Sequence, residues 1–83
     1  MTDSSRLKRP LQPMPDDIAR LLKQRGLLAD YEARPAYQRN DYLGWIARAR
    51  GDETRNQRIK QMLDELERGG VYMNMVHKPS TKS

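Results

Sequence analysis

Pro15, Gly26, Pro35, Gly51 and the pair Gly69-Gly70 cut the middle of this chain into four short segments. Proline fixes φ and lacks an N–H donor, and glycine reaches left-handed backbone conformations, so helices begin and end at such positions. What lies between the breaks must therefore be short helices that depend on packing, because isolated helices of this length are marginal in water. The first segment, 15–25, has Pro15 suited to a first helical position, then Asp16 and Asp17 at the positive end of the helix dipole. Ile18, Leu21 and Leu22 follow at helical spacing, and Gly26 fits the left-handed residue that ends a helix. A second, shorter helix is expected from about Leu28 to Ala33, with Leu27, Leu28 and Tyr31 apolar and with Pro35 pushing Arg34 out of helical geometry.

The third helix is expected to start between Pro35 and Gln38 and to end near Arg50. Tyr42, Leu43, Trp45, Ile46 and Ala49 fall on a stripe about 160° wide, with Gly44 outside it as a surface position. The fourth runs from about Asp52 to Arg68, its start capped either by Asp52 or by a Thr54–Gln57 capping box. Ile59, Met62, Leu63 and Leu66 form its apolar stripe, which places Asp64, Glu65 and Glu67 on the solvent side, with Lys60 and Asp64 as a surface ion pair. After Gly70, the run Val71 to Val76 alternates like a strand. A lone strand leaves its backbone groups unpaired, so the expectation is an extended arm that packs its Val and Met side chains on the helices, the pairing of two arms in a dimer being a lesser alternative.

Composition then limits the chemistry. The chain has 83 residues, no Cys and one His, His77. Disulfides, thiolate catalysis and Cys-containing zinc sites are excluded, and paired-His metal motifs with them. No phosphate loop, calcium loop or nucleophile elbow is present. The expectation is a non-enzymatic protein with no catalytic residues, no metal and no cofactor. The apolar runs are too short to span a membrane, and Met1 to Pro10 lacks the apolar segment of a signal peptide, so a cytoplasmic location is expected.

The net charge is +5, but most of it lies near the ends. Residues 1–14 hold Arg6, Lys8 and Arg9 against Asp3, and residues 71–83 hold Lys78 and Lys82, which leaves +1 for the stretch between. A nucleic-acid domain concentrates charge on a folded face. The leading expectation is thus a protein partner for a monomer or weak homodimer. The alternative is a basic nucleic-acid-binding protein that uses Arg39, Arg48, Arg50, Arg55 and Arg58 with the basic ends. The domain reading is a loosely docked or disordered segment 1–14, a helical domain 15–70 and an extended arm and tail 71–83. The fold class is all-α, a small bundle of three to four helices with flexible tails at both ends.

Tyr42-Leu43-Gly44-Trp45-Ile46, then Ala49, Glu53-Thr54-Arg55, Arg58-Ile59 and Gly69 form a spaced pattern. It resembles the C-terminal helical region of the YdeI/OmpD-associated, or bacteriocin-protection, family. The likeness covers 35–70 well and 15–34 loosely. It departs at Tyr37 to Asp41, where members have a Ser and a basic run, and many members carry a β-rich N-terminal domain besides. The resemblance implies a bacterial protein in stress or envelope defence and carries over no catalytic residue. Tyr42, Trp45, Ile46, Arg55 and Arg58 are the candidate structural or interaction residues. Trp45 is expected in the core. Arg55, four residues before Ile59, faces the core side of its helix. It can bind a phosphate or carboxylate, lie over Trp45 or Tyr42, or pair with Asp41, and the expectation is a structural contact near the third helix. Arg58 flanks it and can join either arrangement.

Overall fold

The computed structural model describes residues 12–76, which form four helices and a small hairpin. Of the loosely docked or disordered segment expected at 1–14, residues 1–11 lie outside the described residues, as do the C-terminal tail 77–83 and the solvated His77. The helices are α1 (Asp16–Gln24), α2 (Leu28–Glu32), α3 (Ala36–Ala47) and α4 (Asp52–Arg68), and the hairpin pairs β1 (Val71–Tyr72) with β2 (Met75–Val76). The class is all-α, as the breakers imply. Gly26 takes φ +67 between α1 and α2, a conformation that L side chains rarely adopt. At the start of α4 neither expected cap forms: Gly51 is the N-cap, and its carbonyl accepts from the Arg55 N–H at 2.9 Å.

The longest helix organises the rest. α4 packs against α3, α2 and β1, while α1 packs against α2. The apolar stripes meet as expected, with Ile18, Leu22, Tyr42, Ile46, Met62 and Leu66 essentially inaccessible to water. Trp45 departs from expectation. It lies at the edge of the α3 stripe and packs against the core from outside, only half-buried, while Tyr42, Leu43 and Ile46 fill the interior. Gly44 departs the other way and is buried, because the side chains of Gln12 and Arg48 lie across it. Met14, from the segment before α1, also packs against the core.

The segment after α4 is not an extended arm. Gly69 and Gly70, both at φ +71, turn the chain back. Val71 then pairs with Val76 and Tyr72 with Met75 in an antiparallel hairpin. The two-residue turn is Met73-Asn74, with φ +50 and +65, the positive pair that a tight hairpin turn requires. Tyr72 and Met73 pack against the core, while Met75 and Val76 are exposed, Val76 at 80%. The strand partner that the alternating run lacked is its own second half.

Candidate interaction groove

The hairpin sits where it does because of a carboxylate. Glu65 on α4 is 1% exposed, so its expected place on the solvent side is wrong. Its helix does turn it away from the Ile59–Leu66 stripe, but the chain folds back through Gly69-Gly70 and covers that flank. Glu65 Oε1 accepts from the Met73 N–H at 2.8 Å and Oε2 from the Asn74 N–H at 2.9 Å. Two successive N–H groups of a left-handed turn form a concave donor pair suited to an anion. The Tyr42 hydroxyl donates to the same Oε1, and Gln61 Nε2 donates to Oε2 at 3.1 Å. Burial, and next the hydrogen bond to Glu65, push the Tyr42 hydroxyl well above the ordinary phenol range. It therefore stays protonated and remains a donor.

Arg34 completes this arrangement from the other side. It is 4% exposed and joins α2, α3, α4 and the hairpin. Its Nη1 donates to the Val71 carbonyl at 2.8 Å and to Gln38 Oε1 at 3.3 Å, and its Nη2 to the Glu65 carbonyl at 3.1 Å. Among the described residues no buried side-chain nitrogen or oxygen lacks a partner. Tyr72 adds the last tie: its hydroxyl donates to Asp41 Oδ2 at 2.6 Å, and its ring stands edge-on to Tyr42 and Tyr37, with centroids 5.4 and 6.1 Å away.

Fixed in this way, the hairpin forms one wall of a groove of about 520 Å³ against α3. Tyr72, Met73 and Met75 line it on the hairpin side, and Asn40, Asp41, Gly44, Trp45 and Arg48 on the α3 side. Gln12 closes one lip, its backbone N–H donating to Asn40 Oδ1 at 2.7 Å. Aromatic and methionine side chains give such a groove an adaptable apolar surface, since a thioether chain repacks at little cost.

The five residues singled out from the sequence divide among three places. Tyr42 and Ile46 are core residues, and Tyr42 also belongs to the Glu65 arrangement. Trp45 lines the groove. Arg58 serves Trp45: its guanidinium lies 5.2 Å from the ring centroid and donates to the Trp45 carbonyl at 2.6 Å. Arg55 pairs within the fold, but not near α3. It reaches α1, with Nη1 2.8 Å from Asp17 Oδ2 and Nη2 3.2 Å from Oδ1. The stacking role expected as an option for Arg55 belongs to Arg58. The Arg55 guanidinium holds the Asp17 carboxyl below its usual value of 3.8. Asp64 pairs with Arg68 at 3.8 Å in place of Lys60.

The roles of Arg34, Gln38 and Glu65 are not anticipated from the sequence, and Arg48 enters there only as a cation of the nucleic-acid alternative. For Glu65 a signal existed: a glycine pair four residues on, followed by an apolar run, returns the chain over the last turns of α4. Among the described residues, no cluster of three or more His, Cys, Asp or Glu side chains is placed to hold a metal ion. Nor is any helix there long and apolar enough to cross a membrane.

Comparison with curated proteins and with solved structures yields no match. The model of the bacteriocin-protection, YdeI or OmpD-associated family matches residues 13–69, well over half of the chain. That span takes in all four helices and the side chains of Arg34, Tyr42 and Glu65 that hold the hairpin, while the hairpin itself follows it. The chain belongs to the YdeI/OmpD-associated, or bacteriocin-protection, family.

Proposed function

We propose that this chain is a non-enzymatic protein-interaction module that presents the groove between α3 and the hairpin to a protein partner, in the stress or envelope defence that the family name suggests. The observation that carries the reading is the groove itself. Its apolar wall of Trp45, Tyr72, Met73 and Met75 is held in place by a buried hydrogen-bonded arrangement rather than left to a loose arm. Rigid support of an apolar contact surface reduces the ordering cost of association. Tyr42, whose hydroxyl is pushed by burial well above the ordinary phenol range, is sealed in the core and is not among the residues lining the groove.

Several of the cations that a nucleic-acid reading needs are occupied. Arg55 is paired with Asp17, Arg58 is bonded to the Trp45 carbonyl, and Arg39 Nε donates to the Arg34 carbonyl at 3.1 Å. The test is retention of cell proteins on the immobilised chain, after nuclease treatment, at two salt concentrations. A protein retained by the parent chain and lost with Met75→Asp supports the reading, because Met75 is 59% exposed and its replacement leaves the core intact. Retention unchanged by Met75→Asp, or material lost to nuclease and steeply to salt, contradicts it.

A further inference from the structure

The groove carries a guanidinium with no ion-pair partner among the described residues, and this narrows what its own partner brings. Among the described residues that line it, Asp41 and Arg48 carry a formal charge at neutral pH. Asp41 is engaged, since its carboxylate accepts from the Tyr72 hydroxyl at 2.6 Å. Arg48 makes no ion pair among the described residues. Its guanidinium folds back across α3 over Gly44, where a Cβ would stand only 3.3 Å from Nη1. A glycine at this buried helical position clears the path along which Arg48 reaches the groove. A guanidinium so placed offers a planar pair of donors to a carboxylate.

We propose that the groove takes an extended acidic peptide segment of a protein partner, one carboxylate side chain meeting Arg48 and a neighbouring apolar side chain resting on Trp45 and Met75. This inference rests on the interaction reading above and adds the chemistry of the partner. A nucleic-acid strand fits less well. Asp41 lies seven residues before Arg48 on α3, about 10 Å along the helix, and its negative charge in the same groove repels a ligand that carries a phosphate at every step. A peptide with a single acidic side chain at the Arg48 end meets no such repulsion.

Trp45 is the only Trp of the chain and lines the groove, so its fluorescence reports occupancy. The full chain is titrated with three acetylated, amidated pentapeptides: Leu alternating with Glu, with Gln or with Lys. The expected result is a saturable change in Trp45 emission, with the Glu peptide binding about two- to fivefold more tightly than the Gln peptide and the Lys peptide weakest, the range for a solvent-exposed ion pair. That preference should vanish in Arg48→Gln and shrink in Gly44→Ala, whose methyl group displaces the guanidinium, while both variants keep the helical circular dichroism of the parent. Equal affinity for the Glu and Gln peptides overturns the inference and leaves the groove reading standing. A preference for Glu that survives in Arg48→Gln overturns it too, by locating the cation elsewhere. No Trp45 response to any of the peptides also overturns it, and the groove reading falls with it only if Met75→Asp retains every protein that the parent chain retains.

Discussion

Asp17 and Glu65 each tie together elements far apart in sequence, and they do so near opposite ends of α4. At the N-terminal end, Asp17 of α1 takes a two-pronged contact from Arg55, but the two side chains are 46% and 31% exposed. At the C-terminal end, Glu65 is 1% exposed and accepts from two backbone N–H groups, a tyrosine and a glutamine. Water competes for every contact of the first carboxylate and for almost none of the second. An exposed ion pair contributes little to stability, whereas a buried carboxylate stripped of its donors, or donors stripped of it, is costly. The resemblance singles out the residue with the weaker tie.

The largest effect should follow removal of Glu65. Glu65→Ala leaves the N–H groups of Met73 and Asn74, the Tyr42 hydroxyl and the Gln61 amide without their acceptor, and is expected to cost about 3 kcal/mol or more in urea unfolding. That is a large share of the total stability of a domain this small. Tyr42→Phe keeps the ring in the core and removes one donor, for an expected loss of about 1–3 kcal/mol. A loss for Tyr42→Phe as small as that for Arg55→Ala would erase the contrast between the two carboxylates.

Arg55→Ala is expected to cost only about 0.2–1 kcal/mol, and less as salt is added. Its pH dependence follows from Asp17. The folded pKa of Asp17 is lowered by the Arg55 guanidinium, so its stabilising share is complete above the unfolded value of 3.8 and is lost as the pH falls through the lower folded value. The difference in melting temperature between the parent and Asp17→Asn should therefore close in strong acid and persist unchanged from about pH 5 to neutrality. The smallest effect, and of opposite sign, is expected for Gly44→Ala. Alanine favours the helix by up to about 1 kcal/mol over glycine, and the atoms that its methyl group meets belong to the Arg48 and Gln12 side chains, which can shift.

The helices were legible in the sequence because periodicity and breakers are local signals. Ile18, Leu22, Ile46, Met62 and Leu66 lie in the core where their stripes place them. The groove was much less legible. Its walls depend on the hairpin, and the hairpin turn is Met73-Asn74, without the glycine that usually announces one. Arg34 and Glu65 are residue types that are almost always exposed unless paired, and their partners include backbone groups of a segment that follows them in the chain. Periodicity along α4 shows which way Glu65 points but not that a turn will be laid over it. Arg55 illustrates the same limit: helical spacing put it on an inward face, but only the packing of α1 decided that Asp17 would meet it.

Amide hydrogen exchange at Met73 and Asn74 tests most directly whether a buried carboxylate, and not the family-motif ion pair, holds the groove together. The account predicts that both amides exchange slowly in the parent chain, nearly as slowly in Arg55→Ala, and orders of magnitude faster in Glu65→Gln under conditions where α4 remains protected. Fast exchange of Met73 and Asn74 in the parent chain, or unchanged protection of both in Glu65→Gln, would contradict it.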